Sequence, residues 1–166
     1  MPLTAKLSVG LTGEITNALD LEAAASALTK NLVVNLTDGL GANQATNIFS
    51  DQRTLAASAN ESLDLNGALT NAFGQTINFT KVKMLAIFAA AGNTNDVVVG
   101  GAASNGFISP FGAATHTVNV KPGGCLILAA PDANGYAAVA ATADLLRIAN
   151  SGAGTTVTYD IVVIGS

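Results

Sequence analysis

One histidine, one cysteine and eleven acidic residues are the side chains in this sequence with the widest chemical range. His116 sits in THTVNV, in step with Val118 and Val120, so on a strand it faces the same way as two apolar residues. A Ser-His-Asp triad would need this single histidine, and no G-x-S-x-G elbow accompanies it. Cys125 lies in the apolar run GGCLILAAP, with no His, Lys or Arg close in sequence to stabilise a thiolate, so a buried core position is expected. A zinc site would have to draw most of its ligands from scattered carboxylates. The acids show no D-x-D-x-D-G spacing of a calcium loop. Gly39-Leu40-Gly41 and Ser151-Gly152-Ala153-Gly154 are fragments of phosphate-loop patterns, without the full glycine spacing or a following Lys-Ser/Thr, and read as turns. Asp51-Gln52-Arg53 is the most polar stretch inside a strand-like segment. It reads as an Asp51–Arg53 pair at a sheet edge or a subunit contact. The sequence therefore offers no catalytic, cofactor-binding or metal-ligating set, and a non-enzymatic protein that needs no cofactor is expected.

The composition narrows the classes further. The 166 residues suffice for one domain with a sizeable core, and a single domain over residues 1–166 is expected. Charged residues make up 11%, less than half the usual share, while 31 Ala, 17 Gly, 17 Thr and 15 Asn fill their place. The 18 Leu, 13 Val and 9 Ile are enough to order the chain, which excludes disorder. A net charge of −4 without a basic cluster argues against nucleic acid. The longest apolar run, Met84 to Ala91, is far shorter than the roughly 20 residues of a membrane helix, and the N-terminus shows no secretory signal pattern.

The elements that must carry these residues read as strands. Alternation places Leu7 with Val9, Leu32 with Val34 and Leu36, and Ile77 with Phe79. The clearest strand is Thr155 to Ile164, with Val157, Tyr159, Ile161 and Val163 on one face. Lys81 to Ala90 reads as a central strand, and Leu36 to Gln44 as a loop rich in turn residues. Further strand segments are Thr4–Val9, Thr16–Leu21, Ala27–Leu36, Asn47–Ala56, Ser62–Leu65, Asp96–Val99, His116–Lys121, Cys125–Ala129, Tyr136–Ala140 and Leu145–Ala149. Helical turns compete at Leu21–Lys30 and Leu65–Phe73, which are rich in Ala and Leu. About ten short strands with little helix predict an all-β, antiparallel, jelly-roll-like β-sandwich.

Four blocks carry a resemblance: Leu36 to Lys83, Ala89 to Gly101 (AAAGNTNDVVVGG), Val120 to Tyr136 (VKPGGCLILAAPDANGY) and Asp144 to Gly165 (DLLRIANSGAGTTVTYDIVVIG). Together they span roughly residues 36 to 165 and resemble small structural proteins of tailed-bacteriophage and prophage virions. The resemblance implies a particle component made in the bacterial host cytoplasm and incorporated into the virion, and it carries over no catalytic residue. Low charge with abundant small residues suits close subunit packing, and a closed oligomer, most simply a trimer, would protect sheet edges. The leading expectation is a capsid decoration (cement) protein whose partner is the major capsid protein. The neighbouring alternative is a tail, neck, adaptor or fibre-base protein. A carbohydrate-binding module is the alternative of another class, weakened by the absence of Trp, with Tyr136 as its main aromatic candidate. Residues 1–35, outside the resembling blocks, are expected to form an arm or strand region touching neighbours. Its anchors would be Leu7, Val9 and Ile15, with Asp51 and Arg53 as further contact residues.

Overall fold

Apolar residues at every second position give this chain strand after strand. A computed structural model describes residues 2–166, and none of them is helical. The strands are β1 (Thr4–Ala18), β2 (Ala23–Asp38), β3 (Gln44–Ala45), β4 (Asn47–Leu55), β5 (Asn60–Asp64), β6 (Asn66–Thr70) and β7 (Thr76–Asn78). They continue with β8 (Lys81–Ala89), β9 (Val97–Gly100), β10 (Thr117–Val120), β11 (Cys125–Ala129), β12 (Tyr136–Ala137), β13 (Leu145–Asn150) and β14 (Val157–Gly165).

Two antiparallel sheets form the body. One runs β11-β8-β14-β4, with β12 added beside β8; the other runs β10-β9-β13-β5. Counting only these eight main strands in chain order gives 1-8-3-6 and 2-7-4-5. That interleaving of first with last and second with second-to-last is the jelly-roll arrangement of a double-sheet sandwich. The core lies between the sheets. Val157, Tyr159, Ile161 and Val163 of β14 meet Val97 and Val99 of β9 and Leu146 and Ile148 of β13, all fully buried. β14 lies in the middle of its sheet, hydrogen-bonded on one side to β4 and on the other to β8. A bulge at Ile164/Gly165 brings Gly165 against the Lys81 carbonyl, where a Cβ would collide with backbone. There Ser166 exchanges hydrogen bonds with Lys81, and its carbonyl also accepts from the Thr80 amide.

Two of the strands are not short. β1 and β2 pair over their whole length, from Thr4 opposite Thr37 to Ala18 opposite Ala23, and turn at Leu19–Glu22. Every residue from Ser8 to Val33 is exposed, so the distal hairpin is a projecting two-stranded ribbon about 35 Å long, at roughly 3.3 Å per residue. Only its base is anchored. Leu3, Ala5 and Leu7 join Val34 and Leu36 over Met84, Ile164, Val162 and Ala45, a second apolar cluster on the outer face of the five-stranded sheet.

The all-β sandwich agrees with the expectation, and four local expectations are corrected. Among the described residues fourteen strands replace about ten: β3 begins inside the stretch read as a loop and β6 forms where a helical turn competed, while β1 does not end at Val9 and the hairpin runs on unbroken. The segment Thr16–Leu21 contains the ribbon turn and is not one strand. Neither competing helix forms. Ala23 to Lys30 is held extended by its ladder with β1, and Asn66–Thr70 by pairing with β7, so strand pairing overrides the helix propensity of alanine and leucine. Cys125 is exposed, because the inward positions of β11 belong to Leu126 and Leu128 and alternation turns the cysteine outward.

Candidate functional site

The residues singled out from the sequence fall into two regions. Leu7, Val9 and Ile15 share one face of the ribbon, since all are odd-numbered positions of β1. Their environments differ with distance from the body. Leu7 packs into the cluster at the base, Val9 is 38% exposed and Ile15 is 74% exposed. Opposite them the register places Val34, Leu32, Lys30, Leu28 and Ser26 on the same face. That face is an apolar stripe, continuous with the buried base, in which Lys30 is the single charge. The reverse face carries Lys6, Ser8, Thr12, Glu14, Thr29, Asn31 and Asn35, with Val33 as its large apolar residue. A two-stranded hairpin with one apolar face is marginal in water unless another layer covers that face.

Asp51 and Arg53 lie on β4, the edge strand of the five-stranded sheet, and do form a pair, with Arg53 Nη1 2.7 Å from Asp51 Oδ2. The stronger partner is one that sequence reading missed. Arg53 Nε and Nη2 both reach Glu61 Oε2, at 2.7 and 2.5 Å, and Tyr159 Oη donates to Glu61 Oε1 at 2.7 Å. Glu61 is on β5 of the other sheet, so this cluster ties the two sheets together. The hydrogen bond to Glu61 holds the Arg53 guanidinium more firmly protonated than usual. Burial, reinforced by the bond to Glu61, pushes the Tyr159 phenol well above its ordinary range. A tyrosine in the middle of an otherwise aliphatic inward face is the signal that could have found this cluster, because a buried phenol needs a polar partner.

Asp51 and Arg53 also line a cleft of about 430 Å³ with Ser62, Asp64, Thr70 and Asn71. Its arginine is already satisfied by two carboxylates. His116 lies elsewhere, with Nδ1 2.7 Å from the Phe111 carbonyl oxygen. Among the described residues, no three His, Cys, Asp or Glu side chains group as a metal site. Tyr136, the aromatic considered for sugar stacking, is half-buried and packs against the main core. What the molecule presents outward is apolar surface: the ribbon stripe and the outer face of the five-stranded sheet beyond the ribbon's base. No protein-family model, curated protein or solved structure matches the chain.

Proposed function

We propose that this protein is a non-enzymatic structural component of a tailed-phage virion, and specifically a capsid decoration protein that binds the major capsid lattice as a homo-oligomer. The observation that carries the reading is the projecting ribbon with an apolar stripe exposed from Val9 to Leu28, on a body that is otherwise a closed sandwich. A stripe of that kind is a surface made to be covered. Two things support placing it on a particle. The sequence blocks resembling phage virion proteins span the jelly-roll body, a fold that serves many functions and is frequent in capsid proteins. The charge content of 11% leaves broad surfaces that pack with little desolvation cost.

The test is a count. A lattice-bound decoration protein must scale with the capsid protein, so quantified virion protein is expected to give a fixed ratio near unity. Finding only a few copies per particle refutes the lattice role and places the protein at the tail or neck. Absence from purified particles refutes the virion reading itself.

A further inference from the structure

Four strands end the two sheets of the body, and three of them are guarded. β4 carries Asp51 and Arg53, β5 carries Glu61 and Asp64, and β10 presents the exposed Thr117 and Asn119 between His116 and Lys121. Charged and polar side chains on an edge keep other chains off it. β11 has no such guard: its five residues, Cys125 to Ala129, hold no charge and no proline. The hydrogen bonds around it show which of its backbone groups are free. Ala89 donates to the Gly124 carbonyl and accepts from the Gly123 amide, and Ala130 donates to the Lys83 carbonyl. Alternation then turns the amides and carbonyls of Leu126 and Leu128 toward β8. It turns those of Cys125, Ile127 and Ala129 to the open side, where, among the described residues, no further strand pairs. The side chains of Leu126 and Leu128 pack on the core, while Cys125 is exposed and Ile127 half-buried on the outer face.

We infer that β11 pairs antiparallel with β11 of a second copy, about a two-fold axis at Ile127, and so joins two sandwiches through one continuous sheet. The strand is complementary to itself. Only its odd-numbered residues offer free backbone groups, so these must pair with one another. The register centred on Ile127 sets Cys125 opposite Ala129 of the second copy, Ile127 opposite Ile127 and Ala129 opposite Cys125, each pair exchanging two hydrogen bonds. Sliding the register fails in both directions. One way calls on the Gly123 amide, which already donates to Ala89, and the other on Pro131, which has no amide. The same placement sets Leu126 against Leu128 of the second copy on the inner face, an apolar cross-strand contact that carries the core from one copy to the next. Charge agrees with it. Lys121, paired with Asp96 at 2.6 Å yet 75% exposed, precedes the strand, and the exposed Asp132 follows it. Antiparallel pairing therefore brings Lys121 of each copy to the end where Asp132 of the other stands. A strip about 17 Å long, at roughly 3.3 Å per residue, on a sandwich about 20 Å thick covers about 350 Å² of each copy. About 700 Å² in all belongs to weak, reversible association, so the dimer forms at high protein concentration.

The inference concerns the purified protein alone, so it stands or falls apart from the virion reading. Three measurements test it. In C125S/I127C the two new thiols meet at the axis with their Cα atoms about 5.5 Å apart, inside the span of a disulfide. Mild oxidation of concentrated protein is expected to give a covalent dimer in C125S/I127C. It should give none in C125S, nor in the unchanged protein, whose two Cys125 residues would lie about 13 Å apart along the paired strands. Separately, I127K sets like charges face to face at the axis and is expected to weaken self-association about tenfold or more in sedimentation. Melting curves of the purified variants confirm that the sandwich is intact. The third measurement needs no variant. As the unchanged protein is concentrated, hydrogen exchange read by NMR should slow at the amides of Cys125, Ile127 and Ala129 and stay as it was at Leu126 and Leu128, which β8 already holds. A monomer at all concentrations, an oligomer that I127K leaves as tight as before, a disulfide dimer as abundant in the unchanged protein as in C125S/I127C, or exchange at those three amides that ignores concentration overturns the pairing.

Discussion

Replacing Tyr159 with Phe removes one oxygen from the sheet-to-sheet cluster and leaves the aromatic packing in place. The lost bond runs 2.7 Å to the Glu61 carboxylate, and a hydrogen bond to a charged acceptor contributes about 1.5–3 kcal/mol. Glu61 keeps 19% of its side-chain surface in solvent and retains Arg53. Water can therefore replace part of what is lost, and the lower limit, about 1.5 kcal/mol, applies. For a chain of this size about 1 kcal/mol moves the midpoint by roughly 2–4 °C, so Y159F is expected to melt about 3–6 °C lower at pH 7. The alkaline limb gives an independent check. The folded phenol titrates above its unfolded value, so its contribution is intact below about pH 10, where the unfolded phenol titrates. Above that pH the unfolded state releases a proton that the native state keeps, and stability falls by about 1.4 kcal/mol per pH unit from this residue. Y159F lacks this proton, so its urea midpoint should decline less steeply between pH 10 and 11 than that of the unchanged protein. Equal midpoints at pH 7, or parallel alkaline slopes, would refute the assignment of Tyr159 as a buried donor to Glu61.

Gly165→Ala drives a Cβ into the Lys81 carbonyl at the bulge and is expected to cost about 1–3 kcal/mol, read as a lower urea midpoint. Cutting the ribbon back from its tip, by joining Ser8 to Val33 through a short turn, should leave the melting temperature within a few degrees. Deleting Met1 to Leu11 strips Leu3, Ala5 and Leu7 from Met84 and Ile164 and should lower it clearly. Equal effects of the two truncations would show that the ribbon base adds nothing to the body. Excess chelator is expected to leave the melting curve unmoved, and a drop of more than a few degrees would reveal a carboxylate metal site. Molar salt should not dissociate the proposed oligomer, because the ribbon stripe proposed to be covered in it is mostly apolar and screening acts on charges; dissociation in salt would assign the interface to ion pairs.

Period-two alternation made the strands legible wherever one face is buried. Val157, Tyr159, Ile161 and Val163 announce β14 without help, and Leu32, Val34 and Leu36 announce the anchored end of β2. The order of strands in the sheets was not legible. Val157 pairs with Leu55 across a hundred residues, and nothing local in either segment names the other. The ribbon was half legible. Leu7, Val9 and Ile15 share a face on sequence grounds, but only the structure shows that this face leaves the body after Leu7. The Asp51–Arg53 pair was visible because its members are two residues apart. Glu61 and Tyr159 were hidden because they come from other strands, and because glutamate is ordinary in any strand exposed on one side. Cys125 was misjudged for a related reason: an apolar run does not say which half of its side chains turns outward.

The position of β14 has a kinetic consequence. It separates β4 from β8, so neither has its main partner in the sheet until a segment about a hundred residues along the chain from β4 inserts between them. Closing so long a loop before any ladder forms makes folding slow, while the β1–β2 hairpin closes locally and early. During that interval β4 and β8 present unpaired backbone edges on a chain with little charge to keep copies apart, the condition under which partly folded chains associate wrongly. Refolding yield should therefore fall as chain concentration rises, and the folded sandwich, once β14 is clamped on both sides, should be slow to open again.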